Sequence, residues 1–435
     1  MKKIYLFHFL VWGAQISFAQ TILTPLTLEQ AVQKALQNHI GIKILENSAR
    51  VAKNNVTKAN AGFLPNVNAI ASETPSLSYT NQELSNGSKI NRFTAGNNFN
   101  AGVQMTWTLY DGRRMEATFD RLKEMANMGE LNIKMRSEQL IADVMKSYYN
   151  VLKNRDLYLA LKSQTDLYEA RLNLAKIREE VGKGNHLDVL QAQTDLQTQK
   201  MLILKQQQFI EPALILLKQV MNVGQEDRFE TADTLQIIGN QSITVSKEAV
   251  LKNNRAFALN QLQTGILMLS KKETEALLKP RVNFNAAYNF ARTDNQAGLI
   301  LLNQNNGLNA GVSAVYPLYD GGNVKRQVEN INIEIESNKL IIKQLENDLW
   351  ASVQFAQNSY ENATAVLKGE TEIQTLAQQS LEIAMERYKL GRSTILELKQ
   401  LQKLYEDSLV RTIIARYDAK FAAIELMRLS GQLLR

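Results

Sequence analysis

One spacing recurs along this chain of 435 residues and limits what it can fold into: blocks of similar sequence return after 209 residues. Asn98-Phe99-Asn100-Ala101-Gly102-Val103 returns as Gly307-Leu308-Asn309-Ala310-Gly311-Val312. Leu109-Tyr110-Asp111-Gly112 returns as Leu318-Tyr319-Asp320-Gly321, and Arg178, Gly182, Leu187, Asp188 and Gln193 return as Arg387, Gly391, Leu396, Glu397 and Gln402. Upstream the offset is 215, matching Ala35-Leu36-Gln37-Asn38 to Val250-Leu251-Lys252-Asn253 and Leu64-Pro65 to Lys279-Pro280. The change falls in a polar loop between Pro65 and Asn98. Two copies of one supersecondary plan therefore follow each other: residues 20–222 and 245–435, with a linker over 223–244.

Each half reads in the same order. A helical stretch (27–62, then 245–278) leads to two strand-like stretches around a polar loop (66–80 and 97–110, then 281–293 and 307–319). A very long helix follows (113–180, then 322–389). A glycine turn then leads to a last helix (186–222, then 394–430), which Pro212 kinks or restarts.

The strands alternate with period two. Phe99, Ala101, Val103, Met105, Trp107 and Leu109 share one face; Asn98, Asn100, Gly102, Gln104, Thr106 and Thr108 share the other. Val282, Phe284, Ala286, Tyr288 and Phe290 alternate likewise with Arg281, Asn283, Asn285 and Asn289, and so do Leu308 to Leu318 with Gly307 to Ser313. An apolar face opposite an Asn/Gly/Thr face is the pattern of a membrane barrel, lipid outside and water inside. A soluble β-sandwich would share the alternation. Against it, the chain has four such strands, and the better ones are about ten residues long, enough to cross a bilayer when tilted. Tyr110 and Tyr319 stand where an aromatic girdle would sit.

The long helices carry heptad-like stripes, such as Val324, Val328, Ile331, Ile335, Ile342, Leu345 and Leu349. At 1.5 Å per residue each would be roughly 100 Å long, a rod that no globular core needs. Four strands cannot close a membrane barrel, since the smallest have about eight. The sheet must be shared among symmetric copies; three would give twelve strands, continued by a helical tube with a polar lumen.

The chain begins as an exported protein does. Lys2 and Lys3 precede an apolar run from Ile4 to Trp12 and then Ser17-Phe18-Ala19-Gln20, which predicts a leader over 1–19 cleaved between Ala19 and Gln20. There is no cysteine, so neither a disulfide framework nor a lipid-modified cysteine is expected, and three histidines make a structural zinc site improbable. The formal charge of +7 is spread along helical segments among Glu and Asp, which reads as a solvated face rather than a nucleic-acid surface. No phosphate-binding loop or Gly-x-Ser-x-Gly occurs, so no enzyme activity and no cofactor are expected. Asp111-Gly112 and Asp320-Gly321-Gly322 read as strand-to-helix turns with Asp near a helix start, and His186 as an exposed polar residue.

The duplicated helix–strand–strand–long helix–turn–helix order, the paired Leu-Tyr-Asp-Gly exits and the paired glycine turns resemble the TolC family of outer-membrane efflux and secretion channels. The turns are Val181-Gly182-Lys183-Gly184-Asn185-His186-Leu187-Asp188 and Leu390-Gly391-Arg392-Ser393-Thr394-Ile395-Leu396-Glu397. The resemblance covers nearly all of the mature chain. It implies a homotrimer with a twelve-stranded outer-membrane β-barrel and a periplasmic α-helical barrel. It also implies contact with outer-membrane lipid, docking to a periplasmic adaptor and service to an inner-membrane transporter.

It further implies roles at the two turns. Val181, Gly182, Leu187, Leu390, Gly391 and Leu396 would form the adaptor-contacting tips at the periplasmic end. Tyr388 stands where the family has a tyrosine bonded to an aspartate, here Asp188. Glu397 stands at an acidic, pore-facing position, where three copies would make a ring of like charge. The chain departs at Gln400, where the family is acidic, and at Ser393, where a basic residue is expected and Arg392 comes one position early. A weaker acidic ring and a rearranged lock are the expectation. A soluble periplasmic coiled-coil adaptor would also be exported and heptad-rich, but should lack the four amphipathic strands. An exported enzyme should show a compact domain with convergent polar residues.

Overall fold

The structure, a computed structural model, describes residues 24–234, 245–297 and 300–433. The expected leader with its Ala19/Gln20 cleavage lies outside the described residues, as does part of the 223–244 linker.

In chain order the elements are β1 (Thr24–Leu26), α1 (Leu28–Asn38), α2 (Ile40–Asn54), β2 (Asn66–Glu83), β3 (Lys89–Tyr110), α3 (Arg114–Glu180), α4 (His186–Gln207), α5 (Ile210–Met221) and β4 (Phe229–Thr231). The second half supplies α6 (Lys247–Asn253), α7 (Arg255–Glu275) with a 3₁₀ turn at Ala276–Leu278, β5 (Arg281–Asn295), β6 (Leu302–Val315), α8 (Asn323–Lys389) and α9 (Ile395–Leu429).

The two long helices begin alike. Asp111 caps α3 by accepting from the Met115 amide with both oxygens, at 3.2 and 3.0 Å. Asp320 caps α8 from the Val324 amide at 2.8 Å. A carboxylate there satisfies a free helix N–H and faces the positive end of the helix dipole.

Two expectations change in detail. The first helical stretch of each half is broken rather than continuous, at His39 and at Asn254, which lie 215 residues apart. Each caps the helix after it, His39 Nδ1 accepting from the Ile42 amide and Asn254 Oδ1 from the Phe257 amide. The last helix of the first half is likewise two pieces, and Pro212 sits in the first turn of α5, where its missing N–H costs nothing. The strands also shift: β2 and β3 run closer together than expected, leaving the short turn Leu84–Ser88, whereas β6 ends at Val315 instead of 319. Pro317 has no N–H to give to a ladder, and Leu318 and Tyr319 lie fully outside it.

The four long strands form one antiparallel sheet in the order β2-β3-β5-β6. The hairpin of one half joins the hairpin of the other along β3 and β5, from Gly96↔Asn295 to Tyr110↔Val282. β2 and β6 are the outer strands, with no further strand beside either among the described residues.

Backbone contacts group the chain into two compact units, each drawing on both sequence halves. One takes described residues of the stretch up to Asn38, Asp143–Asn240 and Thr364–Lys420. In it β1 pairs with β4 in parallel, and the buried Tyr148 hydroxyl donates to the Leu26 carbonyl at 2.8 Å. The other takes those of His39–Ala142, Gln241–Ala363 and Phe421–Arg435, and holds the large sheet. Its helical core gathers Leu349, Val353, Ala356 and Tyr360 of α8 with Ala423 and Leu426 of α9 and Val250 of α6.

Candidate functional site

The two glycine turns lie in the first unit and have one geometry. At the end of α3, the Lys183 amide donates to the Arg178 carbonyl at 2.8 Å and the Gly182 amide to the Glu179 carbonyl at 2.9 Å. At the end of α8, the Arg392 amide donates to the Arg387 carbonyl at 2.8 Å and the Gly391 amide to the Tyr388 carbonyl at 3.0 Å. These paired bonds are the Schellman stop of a helix, which needs a left-handed residue after its last turn. Gly182 (φ 73°) and Gly391 (φ 71°) supply it. No atom would meet a Cβ at either position, so glycine is required for its backbone conformation and not for space. Asn185 and Thr394 then cap the following helices by accepting from the Asp188 and Glu397 amides.

These turns carry their apolar residues outward. Val181, Leu187, Leu390 and Leu396 are 60, 69, 69 and 59% exposed. Their neighbours Val189 and Leu398, two residues beyond Leu187 and Leu396, are buried. The six residues expected at the tips are therefore brought together locally, in two like corners, each with bare apolar side chains.

The expected lock residues separate into two groups. Tyr388 is buried with Leu381, Ala384 and Leu398. Its hydroxyl makes no hydrogen bond to Asp188 among the described residues. The Arg178 guanidinium instead lies 4.6 Å from the Tyr388 ring centre and donates to the Tyr388 carbonyl at 3.0 Å. Burial raises the Tyr388 hydroxyl pKa, the Arg178 charge opposes that, and the Asp188 charge adds to it.

Glu397 is held more tightly. Ser393, where a basic residue was expected, donates its hydroxyl to Glu397 Oε2 at 2.6 Å, and Arg387 pairs with Oε1 at 3.4 Å. The basic partner thus comes from the end of α8. Arg392 and Gln400 point outward as exposed side chains.

Arg178 and Arg387, which do most of the holding, were not among the expected site residues. Their signal was available: both stand four residues before the turn glycine, 209 apart, and each also bonds the carbonyl just past that glycine.

Two helical turns from Arg178, a buried polar cluster ties α3, α4 and α9 together. Arg171, 1% exposed, pairs with Asp195 and donates to Gln402 Oε1 at 3.1 Å. Lys399 reaches Asp195 at 2.9 Å. Gln402 donates to Glu406 at 3.0 Å, and Tyr168 donates to the other Glu406 oxygen at 2.8 Å. Burial pushes the Glu406 carboxyl pKa up, against the pull of these two hydrogen bonds and of the Lys403 and Arg171 charges. Nothing in this cluster forms a nucleophile–base pair with an open cleft, and among the described residues no group of His, Asp and Glu is arranged to hold a metal.

A family model described as outer membrane efflux protein matches residues 31–223 and 249–432, one block in each sequence half. The chain is 19% identical over 430 residues to outer membrane efflux protein BepC of Brucella suis, covering 97% of this chain and 90% of that protein. It is 21% identical over 341 residues to outer membrane protein TolC of Vibrio cholerae, covering 77 and 76%. Its fold matches the Campylobacter jejuni CmeC outer membrane channel with a TM-score of 0.74 at 14% identity, over 93% of this chain and 85% of CmeC. With both halves matched, and with the strand pair, long helix and capped turn repeated in each, the chain belongs to the outer membrane efflux protein family.

Proposed function

We propose that three copies of this chain build an outer-membrane exit duct, which passively conducts substrates delivered by a periplasmic adaptor and an inner-membrane transporter. The observation that carries this reading is the four-stranded sheet. One face of it presents Val67, Val103, Tyr288, Leu308 and Val312, each at least 49% exposed. Among the described residues, both outer strands, of 18 and 14 residues, have free edges. Free edges and a bare apolar face are unstable in water. Both are satisfied if β2 of one copy pairs with β6 of the next and the apolar face meets lipid. Three copies give twelve strands, within the known range of such barrels. The two sequence halves then act as a tandem duplication, each lending one hairpin to the wall.

The exposed apolar corners at residues 181–190 and 390–398 form the adaptor-contacting end, and Glu397 lies near the aperture. Opening the tip would loosen the Arg178–Tyr388 and Arg387–Glu397 contacts. Energy for transport comes from the partner transporter. The same architecture serves efflux and type I secretion.

Single-particle imaging and mass measurement of the detergent-purified protein test the duct. A three-fold particle with a short barrel and a helical tube is expected. A monomer without a barrel would remove the duct and return the soluble adaptor. At the tip, Arg178→Ala should raise conductance in planar bilayers, whereas Tyr388→Phe should change it little, because the lost hydroxyl bonds nothing on Asp188. The reverse ranking would place the lock on the hydroxyl.

A further inference from the structure

The charges of the sheet are sorted by face. Register and alternation place Arg92 and Arg281 on the polar face with Thr106, Thr108 and Asn283, and no carboxylate of the described sheet residues shares that face. All three sheet carboxylates, Glu73, Glu83 and Asp294, lie on the opposite face. There the cations are neutralised: Lys89 pairs with Glu83 at 3.3 Å and Arg292 with Asp294 at 3.0 Å.

Among the described residues, the two polar-face guanidiniums have only neutral partners. Arg281 donates to Asn283 at 3.1 Å and to Thr108 at 3.2 Å. Arg92 donates to the Gln296 carbonyl at 3.1 Å. Beneath Arg281 a recess of about 510 Å³ opens where the strands meet the helices, and Arg114 and Lys279 also line it. Asp111 is the one carboxylate among the lining residues, set against Arg114, Lys279 and Arg281, and it accepts from the Met115 amide as the cap of α3.

We propose that the inner wall of the barrel is electropositive and favours anionic solutes. The inference rests on the duct reading, which turns the polar face inward. In a trimer Arg92 and Arg281 become two rings of three guanidiniums on a wall without acids, with the Arg114 and Lys279 groups below them. Fixed charge of one sign inside a low-dielectric wall concentrates counter-ions and repels co-ions. Arg92 is near the hairpin end of β3 and Arg281 starts β5 at the helix end, so a solute meets positive charge at both ends of the barrel. The cargo class this wall suits is a small anion or an amphipathic molecule bearing a carboxylate, sulfate or phosphate.

The test is the zero-current potential of the purified protein in planar bilayers under a KCl gradient. The wild type should favour chloride over potassium. Arg92→Gln with Arg281→Gln should weaken that preference. Arg92→Glu with Arg281→Glu should invert it, the permeability ratio changing by roughly tenfold. Arg292→Gln, which removes the same charge from the opposite face, should leave it unmoved. Heat-modified gel mobility verifies that each variant has folded, and the Gln pair still reads the effect if the Glu pair does not assemble. A wild type that prefers potassium, or a chloride preference indifferent to both polar-face pairs, would overturn the proposal. A protein that forms no three-fold particle and carries no current fails the duct reading instead.

Discussion

Arg171 keeps its charge almost wholly out of water, and it can do so because Asp195, Gln402 and the face of Tyr168 surround it. Removing one member of a buried ion pair is more costly than never having had the pair, because the other charge stays behind. Arg171→Met should lower stability by about 3 kcal/mol, read as a lower urea midpoint by circular dichroism in detergent. Lys399 remains with Asp195, which keeps the loss at the lower end of such cases. Adding Asp195→Leu should recover part of it; a further loss of similar size would contradict the argument.

Glu406, in the same cluster, gives a pH signature. Its pKa is raised by burial in the folded chain. The folded state therefore holds the proton more firmly than the unfolded state, and stability falls as pH rises from the ordinary glutamate range through the raised value. Glu406→Gln should flatten that decline in a urea series over pH 4 to 8. An unchanged slope would mean that the carboxylate is not strained by its burial. None of this cluster was legible in the sequence. A heptad reading assigns charged residues to the solvated side, and Arg171 meets partners 24 and 231 positions away, which no local pattern reports.

At the scale of elements, face assignment in the strands was legible, because alternation is local and has period two. Ala286 and Asn285 make the cleanest comparison, since they are neighbours in β5 on opposite faces. Ala286→Arg should cost about 2–4 kcal/mol in the membrane and deplete the heat-modifiable outer-membrane form on gels. Asn285→Arg should not. Equal loss from both would mean that the apolar face does not meet lipid. The turns at Gly182 and Gly391 were legible for another reason: a glycine after the last helical turn, twice over, has few other uses. What stayed hidden were strand ends and helix breaks. Polar residues such as Ser78, Thr80 and Thr94 continue the ladder beyond the apolar band, joined by their hydroxyls, so hydropathy stops before hydrogen bonding does. His39 and Asn254 end one helix and cap the next with no proline to mark the place.

On the molecular scale, the open edges of β2 and β6 make a prediction that the absence of cysteine renders clean. Single cysteines placed along β2, for example Asn68→Cys or Ser72→Cys, combined with a cysteine along β6 between Gly307 and Ser313, should give covalent trimers on mild oxidation at the correct register. Non-reducing gels would show the ladder of one, two and three chains. If oxidation yields only dimers at every pairing tried, the edges do not meet in a closed ring.

The pairing of β3 with β5 has a consequence in time. The first hairpin is complete at Tyr110, but its partner strand begins at Arg281 and ends at Asn295. Strands so far apart in sequence pair slowly, because the loop must close before the contacts reward it. At translation rates of 5–20 residues per second, the long edge of β3 waits roughly ten to forty seconds for its neighbour to be made. Throughout that interval it is a naked template for wrong pairing, made of residues that alternate apolar and polar. Biogenesis of this chain is therefore a problem of delayed mating: β3 has to be kept from wrong partners until β5 arrives.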